Sequence, residues 1–114
     1  MSLDLTLREI GDVVIVDCRG RITLNDGAIV LRNAFVDLIA RGKTKVVLNM
    51  ANVGYVDSSG LGELFAGFTT IKERGGNLKL LAITKTFRDL LQVTHLHAVF
   101  SMYFEEADAV RSFL

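Results

Sequence analysis

The sequence predicts an α/β fold, built on a mixed, mostly parallel sheet, and three observations predict it. The chain opens with two apolar runs separated by a turn. Beyond them, short β-branched runs alternate with longer segments of helical period. Glycines stand where one kind of segment gives way to the other. Alternation of strand and helix implies parallel strands joined by right-handed crossovers.

The elements follow in order. Leu3, Leu5 and Leu7 alternate with polar residues, as in a half-covered strand. Gly11-Asp12 turns the chain, and Val13 to Cys18 is nearly continuous and β-branched, as in a deeper strand that Gly20 ends. These two runs form a hairpin, which makes the first strand an antiparallel edge. From Asp26 to Ala40, Leu31, Ala34, Phe35, Leu38 and Ile39 recur at helical spacing, with Gly42 as a stop. Lys45 to Met50 carries the third strand. A second helix starts after Asp57-Ser58-Ser59-Gly60, turns Leu61, Leu64, Phe65, Phe68 and Ile71 to one face, and ends at Gly75-Gly76. Leu78 to Ile83 is a strand, Phe87, Leu90 and Leu91 mark a short helix, Ala98 to Tyr103 reads as a final strand, and Glu105-Glu106-Ala107-Asp108 opens a last helix with acids suited to its dipole. The order is β-β-α-β-α-β-α-β-α: four to five strands and about four helices. Residues 1–114 are read as one domain, since no linker, repeat or low-complexity segment interrupts them.

Lys+Arg and Asp+Glu each total 13, so the formal net charge is zero. A nucleic-acid binder needs a basic footprint, and an anionic-lipid surface domain needs a basic patch. Neither is expected here. The single cysteine, Cys18, lies in an apolar run and reads as a small buried hydrophobe, which suits a reducing compartment. Met1-Ser2-Leu3-Asp4 lacks the basic and apolar regions of a signal peptide, and no apolar run is long enough to span a bilayer. The expected location is the cytoplasm.

The segment most informative about function is Val56-Asp57-Ser58-Ser59-Gly60-Leu61-Gly62, which joins a strand end to a helix start. Functional groups in parallel α/β folds gather at the carboxyl ends of strands. Asp and Ser are both favoured N-caps, so the capping residue is ambiguous among three candidates. Small residues there let another chain approach the backbone closely. A helix start tolerates an anion, and a phosphate on a serine adds about −1.5 to −2 charge at pH 7. Beside Asp57, such a phosphate changes the sign of the tip without unfolding the helix.

Tyr55-Val56-Asp57-Ser58-Ser59-Gly60-Leu61-Gly62 resembles the signature of the anti-sigma factor antagonists of the STAS domain family. The resemblance extends over nearly the whole chain, through Gly20, Val46-Val47-Leu48-Asn49, Gly75-Gly76, the Thr84 to Leu91 segment and the closing helix. It implies a STAS-type fold and places the phosphorylation site at Ser58. It implies a partner-binding tip made of Thr23, Asp57, Ser58, Ser59, Gly60, Leu61 and Gly62. It also implies a non-enzymatic role in transcription regulation by partner switching. The unphosphorylated domain binds an anti-sigma factor that is also a serine kinase, which frees a sigma factor; the kinase uses its own ATP, and a separate serine phosphatase resets the switch. The family often carries an acid shortly after the turn glycine; here the run is Gly20-Arg21-Ile22-Thr23, with Thr23 at that place. The resemblance implies a monomer or a hetero-complex. The alternative is a non-switching STAS module, a scaffold piece or a subunit of a membrane transport complex.

Enzyme readings are weaker. Ser58 lacks the Gly-x-Ser-x-Gly elbow of a serine hydrolase, and nothing in the sequence brings His95 or His97 to it. Those two histidines lack further ligands at metal-binding spacing. Gly60-Leu61-Gly62 lacks the third glycine of a dinucleotide loop, and no P-loop occurs. No cofactor and no metal are expected. Phe65, Phe68 and Ile71 read as core, and Arg21, Arg32, Arg41 and Lys43 as solvated charges, with Arg21 nearest the tip.

Overall fold

The computed structural model describes residues 3–114; Met1 and Ser2, at the head of the segment scanned for targeting signals, lie outside the described residues. The anticipated order is present: β1 (Asp4–Ile10), β2 (Val13–Ile22), α1 (Ala28–Ala40), β3 (Lys45–Val56), α2 (Ser58–Glu73), β4 (Asn77–Leu81), α3 (Lys85–Val93), β5 (Met102–Tyr103) and α4 (Glu106–Arg111). The strands lie side by side as β1-β2-β3-β4-β5. β1 runs antiparallel to β2, and every other pairing is parallel.

Strand order that follows chain order, with right-handed crossovers, sends α1, α2 and α3 to one face of the sheet. Leu31, Phe35 and Leu38 of α1, Leu61, Leu64 and Ile71 of α2, and Phe87 and Leu91 of α3 share one core with Val14, Val16, Val46, Leu48, Leu78 and Leu80. The opposite face holds a smaller cluster of Val13, Ile15, Val47 and Leu81 beneath Ala109 of α4. Two devices hold that short helix. The buried Lys79 ammonium donates to the Ser112 carbonyl at 3.0 Å and hydroxyl at 2.7 Å, and sits 4.3 Å from the Phe113 ring centre. A cation there also complements the C-terminal end of the helix dipole. Arg8 joins both carboxylate oxygens of Asp17 to those of Glu106, and Asn49 donates to Asp17 at 2.9 Å. β1, β2, β3 and α4 are thereby laced together.

Several boundaries differ from the sequence reading: β4 ends at Leu81 rather than Ile83, and four others change the shape of the molecule. β2 does not end at Gly20. The chain is irregular between Asp17 and Arg19 and again at Gly20, whose φ is 126°, and pairing resumes to Ile22. β3 does not stop at Met50; residues 52–56 pair with β2 alone, because β4 partners only Lys45 to Asn49. α1 begins two residues later than Asp26, after Gly27 at φ 106°, which offers no side-chain cap. The last strand is only Met102–Tyr103, because residues 96–98 form a 3-10 turn entered through His95 at φ 61°. The result is a two-stranded prow, the ends of β2 and β3, that projects beyond β4 and carries the conspicuous motif at its tip.

Cys18 is buried, as its sequence context implies, and burial together with the charge of Asp17 pushes its thiol up to about 12. Phe65 departs from expectation. It is 42% exposed and stacks on Phe68, whose ring meets Phe100 edge-on, so only the inner part of the aromatic stripe is core.

Candidate functional site: the tip of helix α2

The tip is organised by one carboxylate. Asp57 has extended backbone and is the N-cap of α2, which resolves the choice among the three candidate caps. Its Oδ1 accepts the Gly60 N–H at 2.9 Å, and its Oδ2 accepts the Leu24 N–H at 3.0 Å. One side chain therefore caps the helix and pins the β2–α1 loop to it. These backbone donors, Gly60 first and then Leu24, hold the Asp57 carboxyl below the usual aspartate range. It stays ionised at neutral pH.

The β2–α1 loop is closed on itself as well. Thr23 and Asp26 exchange backbone hydrogen bonds at 2.8 and 3.1 Å, and the Thr23 hydroxyl donates to the Asp26 carbonyl at 3.3 Å. This locked turn leaves Leu24 67% exposed beside Asp57. Sequence reasoning missed Leu24; a large apolar residue inside a polar turn was the available signal. Arg21, at the end of β2, lies 6.0 Å from the centre of the half-exposed Tyr55 ring. A hollow of about 130 Å³ opens beside Tyr55, between the end of β3 and the start of α3.

Ser58 is the first residue of α2 and is exposed. Its hydroxyl has no hydrogen-bond partner among the described residues. Ser59 and Asp57 are half-buried, Thr23 likewise, and Gly62 is exposed with nothing near the place of a Cβ. Gly60 and Leu61 are buried and shape the tip from beneath. The close approach that Gly60 permits is made by the chain itself: a Cβ there would lie 2.0 Å from the Ile22 carbonyl oxygen. Gly27 stands in the same relation to the Arg21 carbonyl oxygen, also at 2.0 Å. The Asp57 N–H donates to Ile22 O at 3.2 Å. The N-termini of α1 and α2 thus both seat on the last two carbonyls of β2.

The remaining charged candidates separate from the tip. Arg32 is not simply solvated; it grips both carboxylate oxygens of Glu63 across the two helices. Arg41 pairs with Asp37, and Lys43 with Glu9. His95 and His97 follow the C-terminal end of α3, which in this topology is the end of the helix layer away from Ser58. Their rings are 6.4 Å apart, and no group of three or more potential metal ligands gathers among the described residues. No helix among them is long and apolar enough to cross a membrane.

A prediction follows from the Asp57 clasp. Its folded carboxyl titrates below the ordinary 3.8, so its contribution to stability is complete above that value and is lost as pH falls through the lower one. The Leu24 and Gly60 amide NMR shifts should therefore move together on acidification, with a shared midpoint below 3.8. In Asp57→Ala neither amide should show that titration.

Comparison with known proteins agrees with this architecture. Residues 4–109 match the STAS domain family. An anti-sigma F factor antagonist of Paenibacillus polymyxa is 24% identical over 110 residues, covering 96% of this chain and 94% of its own. An anti-sigma-B factor antagonist of Bacillus subtilis is 29% identical over 96 residues, covering 84% and 86%. The crystal structure of an anti-sigma factor antagonist from Mycobacterium paratuberculosis superposes with a TM-score of 0.87 at 22% identity, over 98% of this chain and 94% of that one. With the sheet order, the helix layer and the family pattern in agreement over nearly its full length, the chain belongs to the STAS domain family.

Proposed function

We propose that this protein is an anti-sigma factor antagonist whose binding is switched by phosphorylation of Ser58. The observation that carries the reading is the free, exposed Ser58 hydroxyl on a backbone already fixed by Asp57. A kinase can reach that hydroxyl without unfolding anything. The added phosphate stands next to the ionised Asp57. Its effect is a concentrated negative charge on a surface whose shape is held constant.

The unphosphorylated tip presents Ser58 and Gly62, with Leu24 and Tyr55 as apolar neighbours. Exposed apolar groups beside a neutral hydroxyl suit a protein partner. The names of the two relatives support an anti-sigma factor as that partner. In this reading it is also the serine kinase, using its own ATP, and a serine phosphatase removes the phosphate. The domain performs no catalysis and works in the cytoplasm, as a monomer or in a hetero-complex, within residues 1–114. Thr23, half-buried in its locked turn, offers this partner a hydroxyl where the family often offers an acid.

The test is phosphate-affinity electrophoresis of wild type and Ser58→Ala after incubation with ATP and lysate of the source cells. A slower band in wild type that Ser58→Ala lacks is the expected result. If no Ser58-dependent band forms, and the protein instead co-purifies with a transport complex, the switch is wrong and the non-switching module replaces it.

A further inference from the structure

A second feature lies outside the tip, on the solvent side of the paired helices. α1 and α2 touch where Phe35 passes over Gly67; a Cβ on Gly67 would fall 2.3 Å from the Phe35 ring. Beyond that contact an apolar groove of about 390 Å³ runs between the helices. Its walls are Val36, Ile39 and Ala40 on one side and Ala66 and Gly67 on the other. Val36 is 60% exposed, where an amphipathic helix would place a polar residue.

The two ends differ in charge. One is closed by the Arg32–Glu63 pair, whose charges cancel. The other is bounded by Arg74, the C-cap of α2, whose guanidinium has no hydrogen bond or ion pair among the described residues. The hydroxyl nearest it in the lining, that of Thr70, already donates to the Ala66 carbonyl at 3.1 Å. From Glu63 to Arg74 the groove is about 16 Å long at 1.5 Å per residue.

We infer that this groove binds an unbranched, medium-chain carboxylate, with the tail between Val36 and Ala66 and the carboxylate on Arg74. The volume falls within the roughly 300–1,000 Å³ of small-molecule sites. One planar guanidinium matches one carboxylate, and the other arginine of the lining, Arg32, is already paired with Glu63 at the far end. The groove makes no use of Ser58, so the proposal stands whether or not the tip is a switch.

The test titrates decanoate, below its micellar concentration, into isotope-labelled protein and follows amide shifts. Saturable changes centred on Val36, Ile39, Ala66 and Arg74 are expected. Ala66→Phe, at an exposed position, should fill the groove and abolish them, and Val36→Glu should do the same by charge. Arg74→Gln should weaken binding about tenfold for decanoate and leave methyl decanoate unchanged. Circular dichroism confirms that each variant is folded. Equal affinity for decanoate and its methyl ester, shifts centred elsewhere, or no saturable response overturns the proposal. So does binding to phosphatidylglycerol vesicles, or to an amphipathic helical peptide, in the absence of binding to free decanoate.

Discussion

Ser58→Asp should leave the fold unchanged and weaken binding to the cognate anti-sigma kinase by about a hundredfold or more. A charge placed without a partner in a docked, water-excluded surface costs several kcal/mol, and each 1.4 kcal/mol is tenfold in affinity. The fold is spared because Asp57, not Ser58, caps α2, and because an acid in the first turn suits the helix dipole. Ser58→Ala adds no charge and should bind as wild type does. Calorimetric titration of the three proteins measures this, with circular dichroism as the control for folding. Equal affinity for the aspartate and alanine variants removes the charge mechanism.

The second large effect concerns stability. Gly60→Ala should cost about 3 kcal/mol, at the upper end of what overpacking a tight contact costs. The reason is not backbone freedom. Gly60 is helical, and the obstacle is the Ile22 carbonyl, 2.0 Å from where the methyl would sit. Backbone at that distance moves only if the end of β2 moves. Gly62→Ala, two residues on, meets nothing within 4 Å and should stabilise by about 0.5–1 kcal/mol, the ordinary gain of alanine over glycine in a helix. Urea unfolding of both variants gives the comparison. If they behave alike, the seating of α2 on β2 is not what holds the tip.

This pair of glycines also shows where the sequence was readable and where it was not. Asp57-Ser58-Ser59-Gly60-Leu61-Gly62 announced a helix start and a candidate modification site, and the helical periods of α1 and α2 announced the core face. The sequence did not separate the two glycines, since the role of Gly60 depends on a carbonyl from residue 22, a contact between distant parts of the chain. Leu24 was passed over for a related reason. Its importance comes from a hydrogen bond to Asp57, across the gap between two loops. The extension of β3 to Val56 was hidden because Ala51, Asn52, Gly54 and Tyr55 face solvent and dilute the apolar pattern. Phe65 was misplaced because a helical period gives the direction of a side chain but not how far its neighbours reach to cover it.

The order of the strands has a bearing on how the molecule is made. Every strand after the first pairs with the one before it in the chain, so each finds its neighbour in the sheet already made, and only the contacts of Arg8 and Ile15 with α4 wait for the last segment. The hairpin of β1 and β2 is a ready template. Each later helix and strand adds at one growing border, closing a loop of modest length and modest entropic cost. On a ribosome, where the N-terminal part emerges first, the sheet can lengthen in step with translation, and β5 and α4 complete it last.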